Sequence, residues 1–294
     1  RQAISDRYSL DIERIACGSG SDELIDILVR SFSGVSDEVL FSQYGFLMYS
    51  IAAKRNGAIP IAAPEYNFKT DVHSILSSIS DQTKIIFIAN PNNPTGSYLN
   101  KIELELLCRE IPKNILLVLD SAYAEFVKED DYDSGIDYVN NFENVVMIRT
   151  FSKLYGLASL RLGWSYSSKY ISEIINKVRQ PFNVNSFAQK AGIEALSDLE
   201  HEKLVVQKNI ENMPILRNGI EFLGFQVMPS VANFVLVKFE NPNYCSSMHD
   251  FLIRKNILVR NVAAYGLPDH LRITVGKIEE INLLLQAMQE FKNI

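Results

Sequence analysis

The stretch Ile85-Ile86-Phe87-Ile88-Ala89-Asn90-Pro91-Asn92-Asn93-Pro94-Thr95-Gly96 reads as a strand that stops in amides, prolines and a glycine. An apolar run of that length, closed by turn formers, predicts a strand buried on both faces, as in a parallel sheet covered by helices. The same construction recurs on the C-terminal side. Leu116-Leu117-Val118-Leu119 ends at Asp120, and Val145-Val146-Met147-Ile148 leads through Arg149 and Thr150 to Ser152 and Lys153. Further strands are predicted at Arg14 to Cys17, Val39 to Phe41 and Gly163 to Tyr166. Amphipathic segments of helix length lie between them. Asp22 to Phe32 carries Leu24, Ile25, Ile27, Leu28 and Phe32 toward one side, and Ile102 to Glu110 stops ahead of Pro112. This alternation predicts an α/β protein with a mostly parallel sheet.

The pattern changes beyond Pro181. Ser186 to Leu223 reads as a long helix broken near Pro214. A strand (Phe234 to Phe239), a helix (Ser246 to Lys255), two short β segments around Val259 and Ile273 and a closing helix (Ile278 to Phe291) follow. The expectation is a large domain over residues 1–208 and a smaller α+β C-terminal domain over 209–294.

Composition narrows the function. A chain of 294 residues accommodates two domains in close contact. A net charge of -6 leaves no basic excess for a general nucleic-acid binder, although a local anion pocket stays open. Cys17, Cys108 and Cys245 are odd in number and far apart, so neither a disulfide framework nor a metal cluster is expected, and the cytoplasm is the simplest home. The longest apolar stretches, such as Ile115 to Leu119, are strand-sized and too short to span a bilayer. No signal peptide is visible, but the chain opens on Arg1 rather than methionine, so that absence carries little weight.

In doubly wound sheets, ligands bind beyond the carboxyl ends of the strands. Here an amide, a carboxylate and an amine converge on that edge. Cys17-Gly18-Ser19-Gly20-Ser21-Asp22-Glu23 adds a glycine-bearing turn feeding a helix start, which presents free backbone N–H groups to an anion. Each piece also has an ordinary reading. Ser21 serves equally as an N-cap, Asp120 as a turn cap, Asn93-Pro94-Thr95-Gly96 as a turn, Lys153 as a solvated lysine, and Tyr44 and Tyr123 as packing. Those readings leave the joint occurrence, in order and at strand ends, as coincidence.

Thr150-Phe151-Ser152-Lys153-Leu154-Tyr155-Gly156-Leu157-Ala158-Ser159-Leu160-Arg161-Leu162-Gly163-Trp164 resembles the lysine segment of fold-type I aminotransferases, and within them of the histidinol-phosphate aminotransferase family. Asn92 to Gly96, Asp120 to Tyr123, Gly20 to Glu23 and Leu271 to Gly276 match in the family's order, so the resemblance covers essentially the whole chain. Two departures are visible. The family usually begins some tens of residues earlier, with a segment that helps cover the active site. The loop Phe41-Ser42-Gln43-Tyr44-Gly45 lacks the prolines many relatives carry.

The resemblance implies a pyridoxal-phosphate-dependent transferase of the aspartate aminotransferase type, working as a homodimer. Lys153 then forms the Schiff base with the cofactor and moves the proton, and Asp120 pairs with the pyridinium nitrogen. A buried carboxylate facing that cation is expected to have a depressed pKa. Asn93 and Tyr123 donate to O3′, and Tyr44 stacks on the ring. Ser21 and Asp22, through their backbone, hold the phosphate together with Thr150, Ser152 and Arg161. Arg272 reads the substrate anion, with Arg260 a second candidate. The implied reaction is histidinol phosphate, or an aromatic amino acid, with 2-oxoglutarate. The products are imidazole acetol phosphate, or the aromatic 2-oxo acid, and glutamate. A decarboxylase of a phosphorylated amino acid is the alternative, because reaction choice depends on which Cα bond stands perpendicular to the ring. A cofactor-sensing regulator would bring a DNA-binding module, and no basic helical module precedes Gly18. Gly18-Ser19-Gly20 lacks the third glycine of a dinucleotide fingerprint, and no nucleotide-triphosphate loop is present.

Overall fold

The computed structural model describes residues 1–293. In chain order the strands are β1 Ile15–Gly18, β2 Glu38–Ser42, β3 Ile59–Ala63, β4 Glu65–Tyr66, β5 Lys69–Thr70, β6 Thr83–Ala89, β7 Leu116–Asp120, β8 Val145–Thr150, β9 Gly163–Tyr166, β10 Gln226–Val227, β11 Phe234–Lys238, β12 Arg260–Asn261 and β13 His270–Thr274. A 7-stranded sheet takes the order β1-β9-β8-β7-β6-β2-β3. Strand β9 runs against both its neighbours and the remaining strands are parallel to one another.

The central strands are apolar throughout because both faces are covered. Ile86, Ile88, Leu117, Leu119, Val145 and Met147 enter one core, and Ile85, Phe87, Leu116, Val118, Val146 and Ile148 enter the other. This is the period-2 alternation of a pleated strand, with apolar residues wanted on both sides. The register pairs Ala89 with Asp120 and Asp120 with Ile148, so the polar residues after each strand leave the sheet at one level.

The helix Gly20–Phe32 buries Leu24, Ile25, Ile27, Leu28 and Val29 against the second core. The helix Lys101–Glu110 is closed by a capping box in which Asn100 and Glu103 exchange hydrogen bonds with each other's backbone. The long helical region differs from expectation. It divides at Asp198 into Ser186–Ser197 and Leu199–Phe222, with the Asp198 side chain accepting from the His201 N–H. Pro214 stays inside the second helix. Both Pro214 and Ile210, whose carbonyl loses its usual donor, are exposed, so water reaches that side.

The second sheet is antiparallel, in the order β10-β11-β13-β12. The helices Pro242–Arg254 and Ile278–Lys292 pack on one face of it, together with Leu216 and Ile220 of the long helix. Its other face meets the large sheet's loops through Met228, Leu236, Val262, Tyr265 and Leu267, packed with Tyr44, Leu47 and Phe68. Among the described residues no helix is long and apolar enough to cross a membrane.

Candidate active site

A cavity of about 180 Å³ lies at the carboxyl ends of β6, β7 and β8. Nine of the twelve expected site residues line it: Ser21, Asp22, Asn93, Asp120, Tyr123, Thr150, Ser152, Lys153 and Arg161. Lys153 also borders a larger cleft of about 630 Å³ that opens toward the second sheet, past Asn209, Asn233 and Gly276. The lysine therefore stands where a small polar cavity meets a roomier entrance.

Asp120 ends β7 and is 4% exposed. Its Oδ2 accepts from the Tyr49 hydroxyl at 2.9 Å and its Oδ1 from the Ala122 N–H at 3.3 Å. Burial pushes its pKa up to about 6, against the Tyr49 and Ala122 hydrogen bonds, with Asp22 raising it further and Lys153 drawing it down. The depressed pKa expected from the sequence therefore does not follow from the chain's own groups. A second cation against this carboxylate is what would lower it.

The loop carrying Lys153 is held at both ends. Phe151 N–H donates to the Leu162 carbonyl, Ser152 N–H to Thr150 Oγ1, and Gly156 N–H to the Lys153 carbonyl. Lys153 Nζ lies 5.1 Å from the Tyr123 ring centre. At the other end of the cavity Arg161 adopts a left-handed backbone (φ 57°). Its guanidinium contacts Asp22 Oδ2 at 3.0 Å, Ser152 Oγ at 3.5 Å and the Ala158 carbonyl at 3.0 Å. Gly20 (φ 79°) makes room for it, since a Cβ there would sit 2.4 Å from Arg161 Nη2. Gly163 has the same role on β9, where a Cβ would meet the Ser21 nitrogen at 2.4 Å. The helix N-cap is Ser19, so Ser21 lies inside the first turn, where it lines the cavity.

Three expected residues lie elsewhere. Tyr44 stacks on Phe68 at 5.7 Å, outside the cavity, and the aromatic in the cavity wall is Phe46, two residues on. Arg272, on β13, lies 4.9 Å over the Phe234 ring and donates to Asn93 Oδ1. Its Nε is buried without a partner. Arg260, on β12, is exposed and directly opposite Arg272 in the strand register. Phe46, Tyr49 and Glu65 escaped the sequence reading. Glu65 Oε1 accepts from the Ser42 hydroxyl and the Tyr44 N–H, and the Asn92 amide lies at 3.4 Å.

The donor set suits a flat, dipolar ligand. A carboxylate lies at one end and an arginine, two hydroxyls and a helix start at the other, with a lysine between and an aromatic wall. The space a Cβ of residue 20 would fill is taken by the guanidinium that faces the anion end. Such an arrangement, at the strand ends of a mostly parallel sheet, defines an enzyme of the pyridoxal-phosphate-dependent fold-type I class.

Known proteins bear on which one. The model of the family "Aminotransferase class I and II" matches residues 1–288. A histidinol-phosphate aminotransferase from Paramagnetospirillum magneticum is 46% identical over 293 residues, 99% of this chain and 81% of that protein. One from Rhodospirillum centenum is 45% identical over 292 residues, again with 99% and 81% covered. The crystal structure of histidinol-phosphate aminotransferase from Sinorhizobium meliloti in complex with pyridoxal-5'-phosphate superposes with a TM-score of 0.94 at 27% identity, covering 99% of this chain and 80% of that one. The chain belongs to the histidinol-phosphate aminotransferase family of pyridoxal-phosphate-dependent aminotransferases.

Proposed function

We propose that this enzyme transfers the amino group of histidinol phosphate to 2-oxoglutarate, giving imidazole acetol phosphate and glutamate as a step in histidine biosynthesis. The observation that carries the substrate assignment is the arginine pair on the small sheet. Arg260 and Arg272 face each other across β12 and β13, where like charges are mutually repulsive. Both lower the pKa of the Tyr265 phenol, against the burial that raises it, so both charges reach the same neighbourhood. With Arg272 Nε also buried and unpartnered, the pair suits a phosphate dianion better than a single carboxylate.

When bound, pyridoxal phosphate supplies the electron sink for the carbanion formed at the substrate Cα. Lys153 Nζ would hold the cofactor covalently and, as a free amine, would carry the proton taken from the substrate Cα. Asp120 keeps the ring nitrogen protonated. Asn93 accepts from Arg272 through Oδ1, which leaves its Nδ2 to donate to O3′ alongside the Tyr123 hydroxyl. Phe46, in the cavity wall, would hold the ring face, the part the sequence assigns to Tyr44. The backbone N–H groups of Ser21 and Asp22, the Thr150 and Ser152 hydroxyls and Arg161 hold the cofactor phosphate.

The partition into residues 1–208 and 209–294 is supported by the core contacts of the long helix. Val206 packs in the large-sheet core and Leu216 in the small-sheet core. We assign a homodimer, on the family's practice, and the cytoplasm, on the small metabolites it converts. A panel of amino donors with 2-oxoglutarate tests the substrate. Histidinol phosphate should give the highest kcat/KM, and aromatic amino acids turning over as well or better would overturn the assignment.

A further inference from the structure

We propose that Tyr49 is a positioning residue for the reaction, fixing the Asp120 carboxylate against the cofactor's ring nitrogen and Phe46 against its face. This rests on the reading of Asp120 as the partner of that nitrogen. Tyr49 lies in the first turn of the helix Met48–Arg55 and is fully buried. Its ring stacks on Phe87 at 4.5 Å with an interplanar angle of 8°, and meets Phe46 edge-on at 5.8 Å. Its hydroxyl has one recorded partner, Asp120 Oδ2 at 2.9 Å. With Oδ1 taken by the Ala122 N–H, both carboxylate oxygens are tied and the plane of the group is set. A buried phenol without an acceptor is costly, so the hydroxyl holds to Asp120 as firmly as Asp120 holds to it. Burial, and then the Asp120 charge, drive the phenol pKa well above its ordinary value, so it acts as a donor at any working pH. One side chain thus spans the residue facing the ring nitrogen and the residue facing the ring.

The test uses equilibrium titration of the apoenzyme with pyridoxal phosphate and with its analogue carrying carbon in place of the ring nitrogen. Wild type, Tyr49→Phe, Asp120→Asn and the double variant are compared. Tyr49→Phe removes one oxygen and keeps the packed ring, and the melting temperature of the apo variant checks the fold. It should weaken pyridoxal phosphate binding on the order of tenfold, the scale of one hydrogen bond to a charged group. Binding of the analogue should not change, because the analogue has no nitrogen for Asp120 to meet. In the Asp120→Asn background the tyrosine change should add nothing. Equal weakening for both ligands would mark a merely structural tyrosine and overturn the proposal, as would no weakening for either. If Asp120→Asn alone loses the preference for the nitrogen ring, Asp120 keeps its role and Tyr49 does not. If Asp120→Asn keeps that preference, the reading of Asp120 falls, and this proposal with it.

Discussion

Asp120 works against the stability of the chain that carries it. Its folded-state pKa, about 6, lies above the ordinary value of 3.8, mainly through burial. For a raised group the stabilising contribution is fully present below the unfolded pKa and is lost as pH rises through the folded one. Asp120→Asn is therefore expected to stabilise the cofactor-free chain at pH 7 by on the order of 2–3 kcal/mol. Near pH 4 the gain should vanish, and denaturant melts at the two pH values check this. The same variant should lose most turnover. Lys153→Ala should abolish transamination with the fold intact, and borohydride reduction of the wild-type holoenzyme should attach cofactor to Lys153. Attachment to another lysine overturns that role. Arg272→Ala should raise KM for every anionic donor, costing about 1.5–3 kcal/mol or roughly tenfold to more than a hundredfold in kcat/KM. The cofactor should stay bound, since Lys153 and Arg161 still hold it, while the loss of the Arg272–Asn93 contact is felt at the ring. The rival account makes Arg272 a structural tie, and it predicts a lower Tm at unchanged KM. Its recorded partner is the Asn93 amide, where the structural account would favour a carboxylate.

At the scale of elements, the sequence was most readable where one force decides. Strands β6, β7 and β8 announce themselves because burial on both faces leaves no room for polar residues. Strand β3 does not, since Ile59-Pro60-Ile61-Ala62-Ala63 carries a proline that an edge strand tolerates and a central one does not. The strand ends pointed to Asn93, Asp120 and Lys153 because a polar residue closing an apolar run is conspicuous. Tyr49 had no such signal. A tyrosine in Phe46-Leu47-Met48-Tyr49 reads as packing until the acceptor of its hydroxyl is seen across 71 positions of sequence. Phe46 and Tyr44 differ by two positions in a loop, where no periodicity tells which ring turns inward. The helix break went to Asp198 because a side-chain cap ends a helix cleanly, whereas an exposed proline only bends one. Pro214→Ala should therefore raise stability by about 1–3 kcal/mol, read as a higher melting temperature of the apoenzyme. A lower melting temperature would show that the proline itself is needed to seat the small sheet.

For the whole molecule, assembly is the next question. A homodimer should be seen by light scattering of the active enzyme, and a monomer mass with full activity would reject it. The small sheet meets the loops of the large one around the site, and Arg272 is among the side chains that join them, reaching from β13 to Asn93. That contact places donor choice and ring chemistry on a shared joint. A lineage that changed its amino donor by replacing Arg272 would, in the same step, release Asn93 and disturb the ring oxygen beside it. New specificities should then arise around the arginine, at Arg260 or along the entrance, while position 272 stays fixed. Preference among donors would drift by adjusting the neighbours of an immovable residue.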